Sequence, residues 1–146
     1  MVDLNPYRGR LRSLRAVGLG NALEWFDWTL YATFSVYLAR NLFDKTDARS
    51  AMLSTLAVFA VGFFARPVGG LIFGRLADRL GRQKIMLITM SLLALSSVGI
   101  ALIPSYGDIG LLASIALVFF RLLQGIAHGG ETGVSYTYVA EIAPKE

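Results

Sequence analysis

The chain has 146 residues, of which 55% are hydrophobic and only 16% charged, and its mean hydropathy is +0.56. That much apolar surface, gathered in long blocks instead of an amphipathic period, exceeds what a soluble core of this size can hide and makes lipid the expected solvent. The formal charge of +4 falls at the ends of the apolar runs, which fits topology-setting loops and argues against a nucleic-acid partner; the absence of cysteine excludes disulfides, thiolate zinc sites and a cysteine nucleophile.

Residues 1–15 form a polar tail with Arg8, Arg10, Arg12 and Arg15, expected on the cytoplasmic side. The first apolar run, Val17 to Leu38, contains Glu24 and Asp27 and lacks a small-residue cleavage site after it, so it reads as a retained helix and not a signal peptide. A second run from Ala51 to Phe73 has Arg66 as its single charge, and a third from Ile85 to Ile103 has none. The fourth, from Leu111 to Tyr138, contains Arg121, His128 and Glu131.

Segments of roughly 20 residues at 1.5 Å per residue cover the ~30 Å hydrocarbon core. The reading is therefore an all-α, polytopic membrane protein with four transmembrane helices, at about 16–43, 51–73, 85–103 and 111–140. Residues 16–146 make one membrane unit behind the 1–15 tail. Arg75, Arg79, Arg82 and Lys84 lie between the second and third runs, whereas the turn from Pro104 to Gly110 has no Lys or Arg. The positive-inside rule places both termini in the cytoplasm; the first loop is uninformative because Lys45 and Arg49 are balanced by Asp44 and Asp47. Gly18, the pair Gly70 and Gly74, and the pair Gly125 and Gly129 are candidate sites of close helix approach.

Glu24, Asp27, Arg66, Arg121 and Glu131 lie inside the spans, at ~3 kcal/mol each if unpartnered, or on the order of 15 kcal/mol together. They must be paired, protonated or wetted. Asn21, Glu24, Asp27, Trp28 and Tyr31 recur at helical spacing on the first span, and Arg121, Gln124, His128, Glu131 and Ser135 on the fourth, so two polar stripes face a common cavity. Depth pairs Asp27 with Arg121 near the midplane and gathers an inner cluster around Arg66. Three acids face two arginines, and the acid left without a full partner is a proton carrier: Glu24 and Glu131 are the candidates, with Asp27 and His128 as further proton-coupling residues. Asn21, Tyr31, Arg66, Arg121 and Gln124 are the expected substrate contacts, the arginines suiting a carboxylate. A static ion-pair network that only fixes helix packing is the plain alternative. A second histidine or a cysteine to complete a metal site is lacking, and no nucleophile with an adjacent base or phosphate-cradling loop is evident, so neither cofactor nor enzymatic activity is expected.

The segment 74–84, GRLADRLGRQK, resembles the loop signature between the second and third helices of the major facilitator superfamily, with Gly74, Leu76, Ala77, Asp78, Arg79, Gly81, Arg82 and Lys84 agreeing and Gln83 departing from a basic pair. The stretches 20–27 (GNALEWFD), 66–70 (RPVGG), 121–125 (RLLQG) and 129–131 (GGE) are similar to the metabolite:proton symporter branch, which transports 2-oxoglutarate, citrate, shikimate, proline and betaine. His128 and Thr132 stand where that branch leads one to expect other residues.

The resemblance implies the first four helices of a twelve-helix inner-membrane carrier that rocks around a central site. Its substrate would be a small metabolite taken up with a proton, a di- or tricarboxylate such as 2-oxoglutarate, or an osmolyte. A channel-like or non-transporting four-helix membrane protein is the rival. It also implies a cytoplasmic latch of Gly74, Asp78, Arg79, Gly81, Arg82 and Glu141, with Asp78 meeting a helix end of the other half and Arg79 or Arg82 meeting Glu141. On this view the chain lacks the remainder of its transporter; a small protein that dimerises is the other possibility.

Overall fold

The computed structural model describes residues 5–44 and 47–142. Lys45, the first residues of the tail and the segment after 142 lie outside the described residues. Five helices follow in order: α1 (Asn5–Leu42), α2 (Ala48–Leu80), α3 (Arg82–Ala101), a single turn α4 (Tyr106–Ile109), and α5 (Leu111–Ile142). Helix α2 runs past both of its expected ends, whereas α3 starts earlier than expected and stops at Ala101, short of 103. Helix α1 begins at Asn5 instead of about 16, because the arginine-rich stretch before the apolar run is itself a good helix former.

The segment 74–84, expected as a loop, is helical on both sides of one residue. Arg75 to Leu80 are strong helix formers that continue α2, and α3 starts at Arg82. Gly81 alone breaks the run, with φ at 95°, a conformation that other residues reach only under strain; its N–H closes α2 on the Ala77 carbonyl at 3.0 Å. At the opposite end of the bundle, Ser105 donates its N–H to Asp108 Oδ2 at 3.2 Å and opens the α4 turn.

Among the described residues, three helices are long and apolar enough to cross a membrane: Arg49–Leu80, Arg82–Ala101 and Leu111–Glu141. The expected count of four is not met on that measure, because Asn21, Glu24 and Asp27 interrupt the apolar run of α1. Large apolar side chains cover the outside, among them Phe64 at 82% exposure and Trp25 at 68%, as expected where acyl chains are the solvent.

Helix α5 is central, packing most extensively on α2 and then on α3. Its approach to α2 is a backbone contact. A Cβ added at Gly129 would overlap the carbonyl of Arg66, and one at Gly125 the carbonyl of Gly62. Lipid gives no hydrophobic drive between helices, so such small-residue contacts supply the packing. Gly70 lies in this seam, whereas Gly18 and Gly74 face open space and take no part in it.

Two apolar clusters close the bundle. Tyr31, Leu42, Val58, Ala113 and Leu117 pack at one end, and Ala77, Ile85, Met86 and Val134 at the other. Between them the buried face of α5 is polar.

Candidate functional site

The polar stripe of α5 is almost entirely buried: Arg121 is 1% exposed, and Gln124, His128, Glu131 and Ser135 are buried with it. Helix α1 presents Glu24, Asp27, Trp28 and Tyr31 toward it. The Asp27–Arg121 pair is formed, with Arg121 Nη1 3.4 Å from Asp27 Oδ2. The same Nη1 donates to Gln124 Oε1 at 2.7 Å. Gln124 Nε2 donates to Ser97 Oγ at 2.9 Å, and Ser97 Oγ donates to Asp27 Oδ1 at 3.1 Å. Four side chains from three helices thus close a hydrogen-bonded ring.

Aromatic faces hold the rest of the two guanidiniums. That of Arg121 lies 4.1 Å from the ring centre of Tyr31 and 4.6 Å from that of Trp28, and that of Arg66 lies 4.1 Å from Trp28 and 4.5 Å from Phe63. One indole therefore stands within cation–π reach of both cations. Arg121 Nε and Nη2 and Arg66 Nε are buried donors without a hydrogen-bond partner among the described residues.

The inner cluster expected around Arg66 is organised differently. Glu24 pairs with His128 Nε2, and its Oε1 also accepts from Thr132 Oγ1 at 3.3 Å. The indole N–H of Trp28 donates to His128 Nδ1 at 3.4 Å. Indole nitrogen can only donate, so Nδ1 is the accepting nitrogen and the imidazole proton sits on Nε2, facing Glu24. Among the described residues Arg66 has no ion pair at contact distance, because its guanidinium lies on Trp28 and Phe63, although it feels the charge of Glu24. Glu131 is 3% exposed, lies close enough to Glu24 for their charges to interact, and has no direct partner among the described residues.

Of the remaining expected substrate contacts, Tyr31 commits its hydroxyl to the Thr55 carbonyl at 3.2 Å and offers only its ring. Asn21 is half-buried one turn before Glu24, outside the ring. Ser97 was missed by sequence reasoning. A serine in an apolar helix ordinarily bonds the carbonyl four residues back, as Ser96 does with Leu92 at 2.7 Å, and nothing local separates the two.

At the α2–α3 junction, Arg82 Nε meets Glu141 Oε1 at 2.9 Å and Arg82 Nη2 meets Asp78 Oδ1 at 3.4 Å. Of Arg79 and Arg82, it is Arg82 that reaches α5; Arg79 is exposed. Gly81 forms the break and Gly74 touches nothing across it.

Apolar helices enclosing a layer of paired and unpaired charges mark a helical membrane protein. The family model for the sugar (and other) transporter matches residues 14–146, and the chain belongs to that family, within the major facilitator superfamily. It is 41% identical over 136 residues to the alpha-ketoglutarate permease of Escherichia coli K12, covering 93% of this chain and 32% of that protein. It is 42% identical over 145 residues to a putative proline/betaine transporter of Staphylococcus aureus COL, covering 99% of this chain and 30% of that protein. The proline/betaine transporter of Salmonella typhimurium LT2 is 43% identical over 137 residues, covering 93% and 27% respectively. The chain thus spans about a third of the length of these curated relatives. They are named as transporters, not enzymes. No solved structure matches it significantly.

Proposed function

We propose that this chain forms part of a proton-coupled symporter of the inner membrane that takes up a small organic anion, with α1 crossing the bilayer as a fourth span beside α2 and α5. The observation that carries the reading is the buried layer in which Arg121, ringed by Asp27, Ser97 and Gln124, has N–H donors without a partner among the described residues, beside the buried carboxylate of Glu131. The donors suit a substrate carboxylate, which guanidinium binds through charge-assisted hydrogen bonds. The acids suit a proton, since a carboxylate deep in a membrane is stabilised by protonation or by a cation.

In this mechanism Glu131 and Glu24 take up the proton, and Asp27 releases Arg121 as the substrate carboxylate replaces it. Tyr31, Asn21 and Gln124 shape the pocket, and His128 takes part in the coupling by donating its Nε2–H to the Glu24 carboxylate and so holding it in place. The helices then rock, and the Asp78–Arg82–Glu141 contacts open and close with them as the cytoplasmic latch. Both described helix ends on that side, with their arginines, face the cytoplasm.

The names of the relatives leave a zwitterionic osmolyte as the second reading. Such a substrate shares the carboxylate but brings a cationic nitrogen, and the faces of Trp28, Tyr31 and Phe59 that would receive it are already within reach of the chain's own guanidiniums. A dicarboxylate such as 2-oxoglutarate is therefore preferred. The test is proton uptake into vesicles containing the full-length gene product, driven by 2-oxoglutarate, citrate, shikimate, proline or betaine in turn. Alkalinisation with 2-oxoglutarate supports the first reading, alkalinisation with betaine or proline alone supports the second, and flux without saturation or proton movement contradicts both.

A further inference from the structure

Helix α3 has no charge between Lys84 and its end, yet it supplies the one side chain that closes the ring. A serine hydroxyl can donate in one direction and accept from another. Ser97 does both, donating to Asp27 Oδ1 and accepting from Gln124 Nε2. It thereby fixes which way the Gln124 amide points, so that its oxygen faces Arg121. Asp27 is held at both oxygens, one by Ser97 and the other by Arg121.

A second observation concerns space. Two cavities lie along the α1–α3 crevice, where these helices hardly approach each other. The first, of about 420 Å³, is bounded by Arg121, Gln124 and Tyr31; the second, of about 380 Å³, is bounded by Glu24, His128 and Glu131. Asp27, Leu30 and Ser97 border both. The Asp27–Ser97 hydrogen bond therefore stands in the wall between a chamber that offers cationic donors and one that offers acids.

We infer that Ser97 is a positioning residue for proton coupling: its hydroxyl holds Asp27 against Arg121 in the wall between the two chambers. The inference rests on the symport reading above. A carboxylate anchored at both oxygens cannot swing from one chamber to the other. Arg121 holds Asp27 on one side, with Arg66 lying on the Trp28 ring, and Glu24, His128 and Glu131 line the chamber on the other. When a substrate carboxylate draws Arg121 away, the Ser97 bond is the remaining restraint on Asp27 among the described residues. Ser97 thus ties movement of the carboxylate to occupancy of the anion chamber. Loss of the hydroxyl removes that remaining restraint, so Asp27 crosses whenever Arg121 lets go, whether or not substrate stays bound, and the proton is uncoupled from transport.

The experiment compares the unmodified full-length gene product with Ser97→Ala and Ser97→Thr in proteoliposomes. One readout is accumulation of labelled 2-oxoglutarate or betaine against an imposed proton gradient, and the other is counterflow of the same label, which needs no net proton movement. Losing one hydrogen bond to a charged group corresponds to roughly tenfold, so Ser97→Ala is expected to lose about that factor in accumulation while keeping counterflow. Ser97→Thr, which retains the hydroxyl, is expected to restore accumulation. Equal accumulation by Ser97→Ala and the unmodified protein overturns the inference alone, as does a parallel fall in both readouts that Ser97→Thr does not repair. No flux of either label through the unmodified protein overturns the transport reading and this inference with it.

Discussion

Two arginine–carboxylate contacts on α5 invite comparison. Arg82 and Glu141 meet at 2.9 Å with side chains 24% and 54% exposed, whereas Arg121 and Asp27 meet at 3.4 Å with side chains 2% and 31% exposed. Geometry alone favours the first pair. Environment reverses the order, because an exposed ion pair is screened and contributes about 0.2–1 kcal/mol, while removing one partner of a buried pair strands a charge at a cost of about 3–5 kcal/mol. The exposed pair can be made or broken at little cost. The buried pair fixes where α1 lies on α5.

Changes at the two pairs and in the interior between them should sharpen that contrast. Asp27→Ala is expected to have the largest effect, lowering stability in detergent by about 3 kcal/mol or more and abolishing uptake, since it leaves Arg121 buried without an anion; thermal unfolding checks the first part and vesicle flux the second. Next comes Gly129→Leu, whose side chain must displace the Arg66 backbone. Overpacking of this kind costs typically about 1–3 kcal/mol, and the loss should appear as a lower unfolding temperature even though no charge has changed. Glu131→Gln keeps the volume and removes the repulsion toward Glu24, so stability should stay equal or rise while substrate-driven proton uptake falls. A fall in both would make Glu131 a packing residue. Smallest is Arg82→Gln, expected to alter stability by about 1 kcal/mol at most, with the difference shrinking further at high salt.

Much of the polar layer was legible in the sequence because charged residues in apolar runs are rare and expensive, so their helical spacing carries information. Asp27 and Arg121 met as expected for that reason. Arg66 departed from expectation because charge counting assigns it an acid, whereas an arginine has an alternative in aromatic faces, and Trp28 and Phe63 were near enough to provide it. Ser97 was illegible, since a hydroxyl that bonds its own helix and one that reaches across look alike in one dimension. The segment 74–84 was read as a loop from its charges. Charge, however, reports only departure from the hydrocarbon, and α2 leaves the apolar region as a helix that ends at Gly81. The same confusion, in reverse, makes α1 look less apolar than the other long helices: the residues placed in the site are those that dilute its apolar run.

The account depends on α1 and α5 joining through opposite charges in the interior, and a double-mutant cycle on Asp27→Asn and Arg121→Gln measures that directly. Unfolding temperatures in detergent, converted to free energies, give the coupling between the two positions. The account expects each single change to destabilise and the double variant to recover, with a coupling of about 1–3 kcal/mol. Effects that simply add would contradict it, for they would mean that the two side chains do not sense each other across the bundle.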